Sequence, residues 1–263
     1  MFGAILGDII GSPYEFDHNN IKTKNFPLFS RNSQFTDDTV MTIAIAEAIL
    51  YADGDLDDLA DEAVASMQKL GRLYPYAGYG ARFVGWVHSD NPKPYNSLGN
   101  GAAMRVSPVA WAFDDMETVR KAAVAGTAVT HNHPEGIRGA QAVASAIFLA
   151  RNGADKDEIR EYIEENYYDL DFTVDGIRDG YSFDVTCQGS VPEAIVCFLD
   201  STDFEDAIRN AVSLGGDADT QACIAGSIAE AYYGIPDSLQ EEIFDYIDDV
   251  LKDYYWSYAD ELY

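Results

Sequence analysis

Cysteine is scarce in this 263-residue chain: only Cys187, Cys197 and Cys223 occur, an odd number with no C-x-x-C spacing. That pattern excludes a disulfide framework and a cysteine-based zinc ribbon, and it reads as three buried thiols in a reducing cytoplasm. Bases are scarce too. The chain has 17 Lys and Arg against 45 Asp and Glu, a formal net charge of −28. Such a balance disfavours binding to nucleic-acid backbones and to anionic membranes. No run approaches the eighteen or more apolar residues of a membrane span. The stretch Met1–Asp8 lacks the basic region of a signal peptide, and Asp8 interrupts its apolar run. A Gly-Lys-Ser/Thr phosphate loop is missing. Strand signals amount to a weak alternation over Leu170, Phe172 and Val174 in the irregular stretch 169–187.

Apolar residues instead recur at three and four. This spacing predicts helices over about 3–14, 39–52, 56–72, 79–88, 102–113, 117–128, 135–152, 156–167, 191–200, 203–214, 219–233 and 237–258. No linker, repeat or low-complexity tract interrupts them, so the expectation is one all-α domain over residues 1–263. Much of the acid lies in Asp53–Glu62, Asp155–Glu165 and Glu241–Asp253, alternating with apolar positions as solvated helix faces do. Gly3, Gly7 and Gly11 fall every four residues and share one face of the first helix. Each costs up to about 1 kcal/mol relative to Ala, which predicts a close helix contact in return. Glu15 follows at the end of that helix. The aromatic C-terminus (Tyr254, Tyr255, Trp256, Tyr258, Tyr263) reads as a lid over the core.

Two acidic clusters stand apart from these faces, and each opens an apolar helix. Phe35-Thr36-Asp37-Asp38-Thr39 runs into Val40–Ala46, and Gly215-Gly216-Asp217-Ala218-Asp219-Thr220 runs into Gln221–Gly226. Thr and Asp are ordinary N-cap residues, and the helix dipole favours acids there, so one cluster alone is explained as a cap. Two look-alikes, each with more acid than a cap requires, point to convergence at one place. Like charges about 4 Å apart repel by roughly 4 kcal/mol at an effective dielectric near 20. Four carboxylates brought together therefore need cations or protons, and all-oxygen ligands suit Mg²⁺, Mn²⁺ or Ca²⁺.

Three weaker signals accompany them. Asn96–Arg105 is a Gly-bracketed loop entering an Ala-rich helix, either a phosphate cradle or a plain tight turn. Glu15 lies between Tyr14 and Phe16 and is either a fifth carboxylate of the site or a loop acid. His131 and His133 precede a predicted helix; His131 contacts a ligand or satisfies a buried turn, and His133 reads as a solvated loop residue. Asp57-Asp58-Leu59-Ala60-Asp61 fits the D-D-x-x-D pattern of prenyl-diphosphate synthases, although it sits in a generally acidic helix.

Taken in order, Gly3–Gly11 with Glu15-Phe16, then Phe35–Met41, Gly99-Asn100-Gly101-Ala102-Ala103-Met104-Arg105, Thr130-His131 and Gly215–Thr220 resemble the ADP-ribosylglycohydrolase family over nearly the whole chain. The resemblance implies an all-α orthogonal multi-helix bundle with two Mg²⁺ or Mn²⁺ ions in a central cleft. Thr36, Asp37 and Asp38 would be ligands from one side, and Asp217, Asp219 and Thr220 from the other. Glu15 would lie at or beside the metals. Ser97, Gly99, Asn100, Gly101 and Met104 would line the diphosphate and ribose groove, with His131 against the ligand. The implied reaction releases ADP-ribose from a modified protein side chain, nucleobase or small molecule, with Asp38 holding the attacking water and Glu15 acting in acid–base chemistry or closing the metal shell. The stretch Trp86–Pro94 does not match the acidic loop of nitrogenase-type members, and the wording Ser97–Arg105 resembles the serine-directed branch more closely, which counts against a preference for an arginine linkage. A metal-stabilised ADP-ribose-binding protein without turnover is the non-enzymatic alternative.

Overall fold

A computed structural model describes residues 1–262, with side chains through Tyr258. Its helices are α1 (Phe2–Gly11), α2 (Asp37–Ala52), α3 (Leu56–Leu73), α4 (Ala81–Val87), α5 (Gly101–Met104), α6 (Ser107–Ala112), α7 (Met116–Ala128) and α8 (Pro134–Arg151). They continue as α9 (Lys156–Asn166), α10 (Val174–Ile177), α11 (Val191–Leu199), α12 (Phe204–Leu214), α13 (Ala218–Tyr233), α14 (Asp237–Tyr246) and α15 (Asp249–Leu262). Among the described residues no strand forms. The one extended pairing is an isolated bridge between Gly99 and Thr186. The fold is all-α, as the periodicity predicts.

The hub is α13, which packs against α1, α2, α5, α8, α11 and α12. Its residues Ala218–Glu230 are all buried, as expected of a helix without a polar face. Its most extensive neighbour is α1, likewise buried at every residue. The pair is antiparallel: Gly3 lies on Gly226, Gly7 on Ala222 and Gly11 on Asp219. At each position an added Cβ would meet the backbone of α13 well inside van der Waals contact. The glycine stripe therefore exists for this approach. Its functional consequence is positional, because the C-terminal end of α1 arrives at the N-terminal end of α13.

Two predicted helices are broken in the structure. The stretch 102–113 divides into α5 and α6, because Pro108 in the first turn of α6 lacks an N–H and its ring clashes with a continuing helix. The stretch 237–258 divides at Ile247, which is extended (φ −107°, ψ 147°) and buried. Asp248 then accepts from the Leu251 N–H at 2.9 Å and restarts the helix. The irregular 169–187 stretch contains one short helix, α10, capped by Thr173. Of the C-terminal aromatics, Tyr255 and Tyr258 are buried, with the Tyr255 ring 4.1 Å from Phe2, whereas Trp256 is exposed; Tyr263 lies outside the described residues. All three cysteines are buried free thiols.

The α1–α13 contact gives a paired expectation. Gly7→Ala drives a methyl into the Ala222 carbonyl and should lower unfolding free energy by about 3 kcal/mol or more. Gly85→Ala, on the exposed face of α4 with no atom within 4 Å of the new Cβ, should instead raise it by about 0.5–1 kcal/mol. Urea unfolding of both variants checks this; equal midpoints would contradict the packing described.

Candidate active site

Three helix ends meet at the site: the C-terminus of α1 and the N-termini of α2 and α13. Thr36 is the N-cap of α2, accepting from the Asp38 N–H at 3.4 Å. Its hydroxyl donates to Asp8 Oδ1 at 2.7 Å. Asp8, fully buried on α1, also accepts from the Thr36 N–H (2.8 Å), the Thr39 N–H (3.0 Å) and the Thr39 hydroxyl (2.5 Å). Four hydrogen bonds to one carboxylate clamp the start of α2 onto α1. Sequence reasoning missed this role and treated Asp8 as a break in an apolar run. The available signal was a lone acid on a helix with no other polar side chain.

The two acidic clusters converge. Thr220 donates through its hydroxyl to Asp38 Oδ2 at 3.2 Å, across 182 residues of sequence. Oxygens of Asp8, Asp38 and Asp219 lie within 4.8 Å of one another, and so do oxygens of Glu15, Asp217 and Asp219. Asp219 belongs to both groups. Glu15 enters through a turn at Phe16, whose φ of 69° is unfavourable for an L-residue. The Phe16 N–H, donating to the Gly216 carbonyl at 2.8 Å, holds that turn against the second cluster.

A cavity of about 490 Å³ opens over these acids, within the size range of small-molecule sites. Of the residues singled out from sequence, Glu15, Asp37, Asp38, Ser97, Gly99, Asn100, Gly101, Met104, His131, Asp217, Asp219 and Thr220 line it. Thr36 does not; it sits behind Asp38, against Asp8. Asn100 joins the glycine loop to the acids, donating from Nδ2 to Asp217 Oδ2 at 2.6 Å. His131 is buried, with Nδ1 2.7 Å from the Thr130 hydroxyl and Nε2 on the side of Gly99 and Gly101. Arg105, also fully buried, donates to the same Thr130 hydroxyl at 2.7 Å and so braces the histidine turn. The sequence reading quoted Arg105 without giving it a role. His133, half-buried in the loop before α8, also caps that helix, its Nδ1 accepting from the Glu135 N–H at 3.1 Å.

The electrostatics follow from burial and crowding. Burial raises the Asp8 carboxyl to about 6, even against its four hydrogen bonds. Burial, then the charges of Asp217 and Asp8, lifts Glu15 to about 7. Burial, then Asp8 and Asp217, lifts Asp37 to about 8. Asp38 and Asp219 are pushed well above the usual carboxylate range, first by burial and then by neighbouring acids. His131 is held well below its ordinary value by burial, then by Arg105 and Arg82, so its imidazole is neutral. Asp38 Oδ1 is buried and accepts no hydrogen bond among the described residues. An orphaned carboxylate oxygen within an all-oxygen, like-charged cluster fits a hard divalent cation.

Residues 1–263 match the ADP-ribosylglycohydrolase family. The chain belongs to that family. ADP-ribosylhydrolase ARH3 of Mus musculus is 29% identical, with 91% of this chain and 85% of that protein covered. ADP-ribosylarginine hydrolase Tri1 of Pseudomonas putida (strain GB-1) is 27% identical, covering 89% and 70%. A solved structure titled ADP-ribosylglycohydrolase-related protein complex superposes with a TM-score of 0.67 at 24% identity, over 92% of this chain and 91% of that one, and so shows the fold. The chain is thus a glycosyl-bond hydrolase acting on ADP-ribosyl groups. The prenyl-diphosphate reading falls with this assignment: Asp57, Asp58 and Asp61 are exposed on α3 and do not line the cavity. No helix among the described residues is long and apolar enough to cross a membrane.

The raised acids set a pH dependence. Each holds its proton to higher pH in the folded chain than in the unfolded one, so the folded state binds more protons between the two values. Stability from these groups is present below the unfolded values and is lost as pH rises through the folded ones. His131 acts in the opposite sense, but only below about 6.5. Chelator-treated protein should therefore melt at lower temperature at pH 8.5 than at pH 6.5, and Asp37→Asn should reduce the difference. A melting temperature that rises across this window would contradict the crowding.

Proposed function

We propose that the chain hydrolyses the bond between the anomeric carbon of the distal ribose of ADP-ribose and an attached group, using two Mg²⁺ or Mn²⁺ ions. The observation that carries the reading is the pair of acid triads sharing Asp219, with Asp38 Oδ1 left without a partner. Asp38, Asp217 and Asp219 would hold the ions with Glu15, Asp37, Thr36 and Thr220, while Asp8 fixes the α2 segment from behind. Bound ions would supply Lewis-acid stabilisation and fix the ribose hydroxyls. The protein's own groups do the rest. Ser97, Gly99, Asn100, Gly101 and Met104 bind phosphate and ribose beside neutral His131, and the enclosing walls orient the anomeric carbon. Asp38 orients the attacking water. Glu15, whose carboxyl groups with those of Asp217 and Asp219 at the cavity wall, is placed for acid–base work on an oxocarbenium-like transition state.

The same reading makes residues 1–263 one domain that acts on an ADP-ribosylated protein or small molecule, without nucleic-acid backbone contacts. The three buried thiols suit a reducing compartment such as the cytoplasm.

Two variants separate chemistry from binding. Asp38→Asn preserves shape and removes a charge, so kcat should fall at least about a hundredfold and Mn²⁺ affinity should weaken. Gly101→Val places a branched side chain in the cavity toward His131, where an added Cβ already lies 3.4 Å from Nε2. ADP-ribose affinity should fall first there, with Mn²⁺ affinity largely retained. Calorimetric titration of both variants with ADP-ribose and Mn²⁺, alongside turnover, gives the comparison; parent-rate hydrolysis by Asp38→Asn would sink the mechanism.

A further inference from the structure

The cavity contains two cations, Arg82 and Arg105, among its lining residues. Arg105 is fully buried and committed to Thr130 and to the carbonyls of Gly126 and Thr127. Arg82 is different. It is exposed on α4, its guanidinium stands 4.8 Å over the Tyr95 ring, and it donates to the Tyr95 carbonyl oxygen. Among the described residues it forms no ion pair, although the chain holds 45 acids against 17 bases. Tyr95 in turn lies 6.0 Å from the His131 ring. Arg82 therefore belongs with the glycine-loop and histidine wall of the cavity.

We propose that Arg82 is a specificity-determining residue that reads the diphosphate of the ligand, an inference that rests on the ADP-ribosyl reading above. An anionic ligand entering this chain meets a net charge of −28 and a cavity lined by Glu15, Asp37, Asp38, Asp217 and Asp219. Ions held by these acids would answer them at the ribose end of the ligand, whereas the diphosphate end still needs a local cation against the chain's net charge. Arg82 is the lining cation that remains exposed, and its planar fork matches phosphate oxygens in pairs. One N–H is used by the Tyr95 carbonyl, which leaves others of the guanidinium's five donors for a ligand. Stacking on Tyr95 holds the fork in place before binding, so less side-chain freedom is lost on contact. The charge of Arg82 also reaches inward, since it contributes to keeping His131 neutral. The cavity thus sorts a ligand end to end, with hydroxyls toward the acids and diphosphate toward Arg82.

The test is calorimetric titration of the intact protein, with Mg²⁺ present, using ADP-ribose and its uncharged fragment adenosine at two salt concentrations. Arg82→Gln and Arg82→Lys are compared with wild type, with melting temperatures recorded. Arg82→Gln should lose roughly tenfold or more in ADP-ribose affinity, change adenosine binding by less than about twofold, and show a flatter salt dependence. Arg82→Lys should recover part of the affinity and the salt slope. ADP-ribose affinity and salt slope unchanged in Arg82→Gln would overturn the inference alone. Equal losses for ADP-ribose and adenosine, without recovery in Arg82→Lys, would show a merely structural role and overturn it as well. Wild-type protein that binds no ADP-ribose would remove the underlying reading and this inference with it.

Discussion

The approach of α1 to α13 at glycine distance is the constraint on which the rest of the molecule depends. Without a Cβ at Gly3, Gly7 and Gly11 the two backbones reach contact, and the antiparallel register brings Gly11 onto Asp219. That register delivers Asp8 of α1, and Glu15 from the turn just beyond it, to Asp217 and Asp219 at the start of α13. Asp8 then captures the start of α2 through Thr36 and Thr39. Three segments far apart in sequence are fixed at one point by backbone packing and one buried carboxylate.

What they create is a concentration of like charge in which, among the described residues, no acid of the cluster forms an ion pair. The N-termini of α2 and α13 favour acids through their dipoles, an effect of about 0.3–1 kcal/mol each, or up to about 2 when partly buried. The repulsion of several carboxylates within 4.8 Å of one another exceeds that on the scale of roughly 4 kcal/mol per close pair. Protons or cations must take up the difference: burial raises the carboxyls of Asp8, Glu15 and Asp37, and neighbouring acids raise those of Glu15 and Asp37 further. A stable core would not retain such a cluster for packing. It is an arrangement suited to gripping divalent ions and, through them, sugar hydroxyls.

Much of this was legible in the sequence where the signal was local. The acid clusters, the glycine stripe and the Gly99–Arg105 loop each lie within about a dozen residues, and the resemblance in their order identifies the family. Asp8 was not legible because its partners are 28 and 31 residues away, and an acid amid apolar residues reads as an interruption. Arg105 was hidden because its function is to brace Thr130, a contact 25 residues distant. The α5–α6 break was missed because Ala-rich periodicity continued across Pro108, and the α14–α15 break because acids and apolar residues kept helical spacing through Ile247. Thr36 illustrates the converse: its motif suggested a ligand but not the further contact in which its hydroxyl, 3.4 Å from Asp38 Oδ2, also donates to Asp8 Oδ1 at 2.7 Å.

The most direct measurement is release of ADP-ribose, followed chromatographically, from a panel of conjugates joined through arginine, serine, acetyl ester and nucleobase linkages. Each conjugate is assayed with Mg²⁺, with Mn²⁺ and after chelation. Release from at least one conjugate, abolished by chelator and restored by added metal, is the expected result. ADP-ribose binding with no release from any conjugate, or release indifferent to chelator, would contradict metal-dependent hydrolysis at this site.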